Sequence, residues 1–86
     1  MQRYSIYTAR FCPYCDAAKA LLRHEGIEFE EIDISGNWET RDEMIARSNG
    51  QTTLPQIFID GRHIGSLSDL KSLQESGALK KHPERI

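Results

Sequence analysis

The chain contains two cysteines, and they lie three positions apart in the segment Cys12-Pro13-Tyr14-Cys15. A disulfide between them would close so short a loop that it would restrict the unfolded chain very little. Two thiols at this spacing are better suited to exchange, in which one sulfur attacks a disulfide and the other releases the product. The segment therefore predicts thiol–disulfide chemistry rather than a structural cross-link.

The position of these cysteines at the start of a helix supports the same interpretation. Pro13 suits the first helical position, where its missing N–H donor costs nothing. Cys12 then lies against the unpaired N–H groups and the positive dipole end of the helix, which stabilise a thiolate. We expect Cys12 to be the nucleophile, and Cys15, one turn further in, to be more buried and less ionised.

Two strands flank this helix in the sequence. Residues 3–8 combine β-branched and aromatic side chains and predict a strand. One face of the helix carries Tyr14, Ala17, Ala18, Leu21 and Leu22, and the helix is predicted to end at Gly26. This pattern permits a core position for Tyr14, but its place between the cysteines favours an exposed position that faces the ligand. Residues 27–34 predict a second strand, in which a shift of the apolar frame between Phe29 and Ile32 indicates a bulge or an early end.

The next part of the chain predicts a helix and a hairpin. The helix covers residues 38–48, with Glu43 and Arg47 spaced as an ion pair, and stops at Asn49-Gly50. Strands at residues 56–60 and 62–65 meet at Asp60-Gly61, the dipeptide favoured in a two-residue type I′ turn.

A last helix follows the hairpin. Ser66 and Ser68 are its candidate N-caps, and Gly77 is its predicted end. The helix presents Leu67, Leu70 and Leu73 on one side. The charged segment from Lys80 to Ile86, which includes Pro83, is expected to be frayed.

The predicted order is β-α-β-α-β-β-α, an α/β arrangement. A strand–helix–strand unit followed by a hairpin gives a mixed four-stranded sheet, with the first two strands parallel and helices on both faces. With 86 residues, 38% of them hydrophobic, residues 1–86 are expected to form a single domain.

Composition also argues against several function classes. The net charge is −2 with acids and bases interspersed, so no basic surface for nucleic acid is expected. No apolar stretch is long enough for a membrane span, and none has the form of a secretory leader. We expect a cytoplasmic protein, where structural disulfides are rare and a close cysteine pair is more often catalytic or metal-binding.

The ordered motifs resemble those of the dithiol glutaredoxins of the small bacterial type. The resemblance rests on Cys12-Pro13-Tyr14-Cys15 after a strand, on Thr53-Leu54-Pro55 before a hairpin, and on residues 65–69 at the start of the last helix. It implies a thioredoxin-like fold and a glutathione-dependent thiol–disulfide oxidoreductase. Its substrates would be protein disulfides and glutathionylated proteins, with Cys12 and Cys15 as the catalytic, redox-active pair.

The resemblance also implies a binding groove for glutathione, which acts as co-substrate. No tightly bound cofactor and no metal are expected. The protein is expected to be a monomer. Pro55 would be a cis-proline that turns the backbone of Leu54 towards the peptide. The γ-glutamyl carboxylate would meet the N–H groups of Leu67 and Ser68, and the ammonium would meet Asp69 or the Ser68 hydroxyl. Tyr14, Thr53 and Gln51 would line the groove towards the glycyl end.

The chain departs from the family pattern at three positions. Ala9 stands where a lysine is usual, Ser66 replaces the second glycine of a Gly-Gly pair, and Ser68 stands where an acidic residue is common. A basic contact for the glycyl carboxylate would then come from Arg10 or Arg41, and Asp69 is left as the carboxylate of this region.

Several other interpretations of the cysteines are considered beside this one. The cysteines could be inert buried thiols, or could join His24, His63 and His82 in a zinc site, although that spacing matches no usual zinc pattern and the histidines are most simply surface residues. Another function would be an iron–sulfur cluster held across a dimer by Cys12 and glutathione, against which Pro13 argues because it stiffens the loop. A further alternative function is a redoxin that is reduced by thioredoxin reductase.

Two aromatic residues, Phe11 and Trp38, could shape the groove, but aromatic residues more often belong to a core.

Overall fold

The computed structural model describes residues 2–79. Its elements are β1 (Tyr4–Thr8), α1 (Pro13–His24), β2 (Phe29–Asp33), α2 (Trp38–Arg47), β3 (Gln56–Ile59), β4 (Arg62–Gly65) and α3 (Leu67–Ser76). The strands form one sheet in the order β2-β1-β3-β4, in which β1 and β2 are parallel and the other pairs antiparallel. The predicted element order and mixed four-stranded sheet are therefore confirmed. The segment from Lys80 onwards, including His82, lies outside the described residues.

Helices cover both faces of the sheet, as predicted, because successive residues of β1 point to opposite sides. Ile6 is fully buried in a cluster that packs α1 and α3 against one face. Tyr7, the next residue, is buried with Phe58 and Met44 in a second cluster beneath α2. The rings of Tyr7 and Phe58 meet edge to face at 5.6 Å.

The second strand begins two residues later than predicted and ends one residue early, so of the two alternatives the early end is confirmed and the bulge is wrong. β2 covers Phe29–Asp33, and its register with β1 runs without interruption from Tyr4↔Phe29 to Thr8↔Asp33. The apolar frame shifts because Phe29 packs against the first cluster and Ile32 against the second, on the opposite face. The register shift lies instead between Ile57 and Phe58, in the pairing of β3 with β4.

The predicted buried face of α1 needs one correction. Cys15, Ala18 and Leu22 are its buried residues, and Leu21 is half-buried. Ala17 is exposed, contrary to the pattern, whereas Tyr14 is exposed as its place between the cysteines predicted. The face is turned towards the side on which Cys15 lies, so that Tyr14, between the cysteines, points to solvent.

The predicted turn and helix ends agree closely with the structure. Asp60 and Gly61 have φ values of 54° and 80°, as both central residues of a type I′ turn require. α2 ends at Arg47, one residue earlier than predicted, and the chain then turns through Asn49 and Gly50 with positive φ. The predicted pair of Glu43 and Arg47 is present at 3.8 Å.

The start of α3 depends on a cap around Ser66. Ser66 is the N-cap residue, so Ser68, the other candidate, lies within the first turn. The carboxylate of Asp69 accepts hydrogen bonds from the Ser66 backbone N–H at 2.9 Å and from the Ser66 hydroxyl at 3.2 Å. Gly65, with φ 130°, brings the backbone so close that a Cβ there would overlap this carboxylate.

Gly65→Ala is therefore expected to destabilise the protein more than Gly77→Ala. Both glycines have positive φ, but a Cβ on Gly77 meets nothing within 4 Å. Alanine at Gly77 should cost about 1 to 2 kcal/mol for the left-handed backbone. Alanine at Gly65 should cost about 1 kcal/mol more, because it also displaces the helix cap. Urea unfolding measures both values, and an equal or smaller loss at Gly65 would contradict this account of the cap.

Candidate active site

Cys12 is the N-cap residue of α1. Its backbone is extended, with φ −119° and ψ 97°, so its side chain can turn back over the first turn of the helix. The backbone N–H of Cys15 donates to Cys12 Sγ at 3.2 Å. The sulfur is half-buried, so that a disulfide can reach it from solvent. A thiolate here would accept a charge-assisted hydrogen bond, which is stronger than the bond to a neutral thiol.

Cys15 lies one turn into the helix and faces the protein interior. Only 1% of its surface is exposed. Burial, together with the hydrogen bond to Cys12, raises the pKa of the Cys15 thiol to about 12. Both cysteines are free. The expectation that Cys15 is the more buried of the two is confirmed, and the raised pKa keeps its thiol protonated at neutral pH.

The loop before β3 carries the predicted proline. The Leu54–Pro55 peptide bond is cis, and Pro55 is buried. The side chain of Gln56, fully buried, fixes this loop: its Nε2 donates to the Thr53 carbonyl at 2.9 Å and lies 3.3 Å from Gln51 Oε1. A buried amide with these partners holds residues 51–55 to the end of the sheet.

His63 completes this network, which corrects the prediction that it is a simple surface residue. The imidazole is half-buried on β4 and tilted against the Phe58 ring. Because the amide nitrogen of Gln56 donates to the loop, its oxygen accepts from His63 Nε2, at 2.7 Å. His63 Nδ1 is then left to accept from the amide of Asn49, at 3.2 Å. His24, by contrast, is exposed as expected.

An open groove of about 360 Å³ lies where three segments meet. Neither cysteine lines it, but Tyr14, which stands between the two cysteines in the chain, does, and this places the groove next to the dithiol. Side chains come from the first turn of α1, from the loop before β3 and from the start of α3. The lining residues are Tyr14, Thr53, Leu54, Pro55, Ser66, Leu67, Ser68 and Lys71.

Six of the eight residues predicted to bind glutathione line this groove, and two do not. Gln51 and Asp69 are absent from the lining, and both make contacts elsewhere. Gln51 accepts from Gln56, and one oxygen of Asp69 is occupied by Ser66. A larger open depression of about 740 Å³ lies around Arg3, Glu30 and Gly61, and no residue of the segment from Cys12 to Cys15 lines it.

Lys71 is a groove residue that the sequence reasoning missed. It lies on α3 four positions after Leu67, so one helical turn places both on the same side. Within residues 2–79 it forms no ion pair. Arg10 and Arg41, considered as basic contacts from the sequence, do not line the groove, and the Arg41 guanidinium lies 5.8 Å from the centre of the Trp38 ring.

Two other kinds of site are absent from the described part of the chain. No group of three His, Cys, Asp or Glu side chains there could hold a metal ion. None of the described helices is long and apolar enough to cross a membrane.

Comparison with known proteins gives consistent matches. A family model described as Glutaredoxin matches residues 5–64. The chain is similar to Glutaredoxin 3 of Escherichia coli strain K12, with 53% identity over 79 residues, 92% of this chain and 94% of that protein. It is also similar to the crystal structure of Glutaredoxin 1 from Francisella tularensis complexed with cacodylate (TM-score 0.78, 31% identity, 93% and 100% of the two chains). A structure described as "Metal Binding of Glutaredoxins" matches with TM-score 0.69 and 51% identity, over 92% and 85% of the chains.

The burial of Cys15 generates a prediction for the Cys12→Ser protein. Its remaining thiol should react with iodoacetamide slowly at neutral pH, because burial keeps Cys15 protonated and covered. Burial, the largest cause of the raised pKa of Cys15, remains in this variant, so the thiolate should appear only at high pH and the rate should still rise above the pH at which an unfolded cysteine levels off. Mass spectrometry of samples quenched across this range measures the rate. Urea-unfolded protein is the control, and a folded-state rate that levels off near the pH expected for an unfolded cysteine would contradict the assignment.

Proposed function

The chain belongs to the glutaredoxin family and is a glutathione-dependent thiol–disulfide oxidoreductase, and we propose that the groove between Cys12 and α3 holds glutathione during the reaction. The observation that carries this proposal is the convergence of Tyr14, the Leu54–Pro55 loop and the start of α3 on one groove beside the dithiol. Its two ends differ in chemistry, as the two ends of glutathione do.

The proposed reaction begins with the thiolate of Cys12. It attacks one sulfur of a substrate disulfide, forms a mixed disulfide with it, and the other substrate sulfur leaves as a thiolate that takes up a proton. Cys15 then loses its proton, attacks Cys12 Sγ, and releases the second substrate thiol. Two glutathione molecules reduce the resulting Cys12–Cys15 disulfide and are themselves oxidised to glutathione disulfide. When the substrate is a glutathionylated protein, Cys12 attacks the glutathione sulfur and the protein thiol leaves; a second glutathione then attacks the same sulfur, frees the Cys12 thiol and departs with the first as glutathione disulfide.

The α3 end of the groove suits the γ-glutamyl group. Leu67 and Ser68 occupy the first turn, where backbone N–H groups have no acceptor within the helix and favour a carboxylate. Lys71 adds a full positive charge on the same wall. The ammonium of that group is assigned to the Ser68 hydroxyl or to Asp69, whose second oxygen, Oδ1, is not the one that caps Ser66.

The middle of the groove suits the cysteinyl part of glutathione. An extended peptide beside Leu54 could pair with its backbone N–H and C=O as an added strand. Thr53, Tyr14 and Gln51 are assigned to the glycyl end. Gln51 would have to turn from its contact with Gln56 to take part, a contact that is long at 3.3 Å.

The partners, the cellular location and the oligomeric state are part of the same proposal. Protein disulfides and glutathionylated proteins are the proposed partners, and nucleic acid and membranes are not. We assign the protein to the cytoplasm and expect it to act as a monomer of one domain, with no tightly bound cofactor.

A second candidate function is an iron–sulfur cluster held across a dimer by Cys12 and glutathione. A similar glutaredoxin structure is described by its metal binding, which favours testing it. Pro13 at the first position of α1 stiffens the loop that a shared cluster would have to approach. Visible absorbance of freshly purified protein, together with its iron content, decides between cluster binding and the oxidoreductase function.

A third candidate, reduction by thioredoxin reductase, is tested by replacing glutathione and glutathione reductase with that enzyme in the assay below.

The two cysteines should differ sharply in a coupled assay with glutathione, glutathione reductase and a small glutathione mixed disulfide. Cys15→Ser should retain turnover, because glutathione itself can release the product. Cys12→Ser should abolish it, because the buried thiol of Cys15 cannot replace the nucleophile. Reduction of a protein disulfide should require both thiols. Turnover retained by Cys12→Ser would show that the nucleophile is wrongly assigned.

Lys71→Gln should raise the KM for the small mixed disulfide by roughly threefold, a change of the size expected for an exposed ion pair. The kcat should stay unchanged, since Lys71 binds the peptide and does not touch the sulfurs. Arg62→Gln is the matched control, because it removes the same charge from an exposed residue outside the groove. Added salt should reduce the difference between wild type and Lys71→Gln. Equal effects of the two substitutions would rule out a specific contact at Lys71.

A further inference from the structure

Three large apolar side chains are exposed in the part of the chain that the structure describes. Phe11 is 98% exposed, Trp38 75% and Tyr14 66%. Phe11 and Tyr14 flank the nucleophile in sequence. Soluble proteins rarely gather exposed aromatic groups at one place unless something binds there.

Phe11 is unusual in its backbone as well as in its exposure. Its φ of 57° is in the left-handed region, which bulky residues other than glycine seldom adopt. The ring gains nothing from burial, since almost all of it is in solvent. A strained and exposed aromatic residue next to a reactive sulfur does not help folding, and this favours a role in binding.

Trp38 lies at the same edge of the sheet, although it is distant in sequence. β1 and β2 are parallel, so the loops that follow them leave from the same edge. These loops are joined by a hydrogen bond from the Arg10 backbone N–H to Ser35 Oγ, at 2.8 Å. α2 begins at Trp38, three residues after Ser35, and the Arg41 guanidinium lies over its ring.

We propose that Phe11 and Trp38, together with the exposed face of Tyr14, form an aromatic rim that docks protein substrates. The rim would bind the extended segment around the reactive cysteine of a protein disulfide and would prefer an apolar side chain next to that cysteine. This inference rests on the proposed function and extends it from glutathione to the protein partner. The bond changes are those described for Cys12 and Cys15.

Geometry favours this occupant over glutathione. Phe11 and Trp38 are not among the residues lining the glutathione groove, whose walls include Tyr14, Pro55 and Leu67. A protein segment is longer than glutathione, and when its sulfur meets Cys12 the chain on either side must pass over neighbouring residues. Phe11 is the immediate neighbour of Cys12 on the side away from Tyr14.

Positive and negative residues are mixed around the aromatic rim, so the rim would not select substrates by their charge. Arg10 and Arg41 lie among acidic residues at the same edge, including Asp16 in the first turn of α1 and Glu39 in that of α2. Selection through apolar contact should therefore change little with ionic strength. This separates the rim from Lys71, whose contribution is electrostatic.

The experiment uses two synthetic peptides, each closed by one disulfide and differing only in whether leucine or serine precedes the reactive cysteine. Wild type is compared with the double variant Phe11→Asn, Trp38→Ala in the coupled assay. Asparagine is chosen because it tolerates positive φ better than most residues, so that the loop can keep its shape. The small glutathione mixed disulfide serves as control substrate, and the alkylation rate of Cys12 as control for the nucleophile.

We expect kcat/KM for the leucine peptide to fall about tenfold in the double variant, a change that corresponds to about 1.4 kcal/mol. The serine peptide and the small substrate should change little, and added salt should leave the preference for leucine intact. Equal losses on all three substrates, or no loss on the leucine peptide, would overturn the proposal. So would a wild-type dimer in sedimentation that the double variant abolishes, because the rim would then bind a second copy. A wild type inactive on the small substrate would instead refute the proposed function.

Discussion

The hydrogen bond from the Cys15 backbone N–H to Cys12 Sγ is the interaction on which the site depends. It exists because Cys12 is the N-cap and its backbone is extended, while Cys15 is already inside the helix. A helix can satisfy this geometry only at its first turn, where N–H groups lack internal acceptors. The same turn that presents one sulfur to solvent therefore buries the other, and the two thiols acquire different roles from one short segment.

The groove depends on two polar contacts that hold its walls. The Gln56 amide ties the loop of Leu54 and Pro55 to the sheet, and His63 fixes the direction of that amide. On the opposite wall, Asp69 caps α3 and so fixes the N–H groups of its first turn. A buried amide and a helix cap are rigid supports, since leaving either unpaired would cost free energy. The groove is thus largely formed before a ligand arrives.

Sequence patterns predicted most of the fold because local rules decide it. The Asp60-Gly61 turn, the proline at the start of α1 and the alternation in β1 each left few alternatives. The pattern misled where both faces of a strand are covered: Phe29 and Ile32 are apolar on opposite sides of β2, which looks like a bulge in a sequence. It also misplaced Ala17, which is exposed, because several turns of α1 offer more apolar residues than its buried face uses.

The site was predicted less completely than the fold, for a physical reason. Motifs identified the dithiol and the segments that approach it, but not how each side chain is used. Gln56 is polar in a strand of apolar neighbours, and nothing local indicates that it is fully buried and bonded to a loop. Lys71 becomes a groove residue only when α3 is placed against the loop before β3. Such contacts depend on tertiary packing, which periodicity does not encode.

The central claim is that Cys12 carries glutathione in the groove that ends at α3. The most direct measurement is an NMR structure of the Cys15→Ser protein with glutathione disulfide-bonded to Cys12, using isotope-filtered contacts between protein and ligand. We expect contacts from the γ-glutamyl group to the amides of Leu67 and Ser68, and from the cysteinyl group to Leu54. A glutathione attached to Cys12 whose contacts are confined to Phe11 and the α2 side of the dithiol would contradict it.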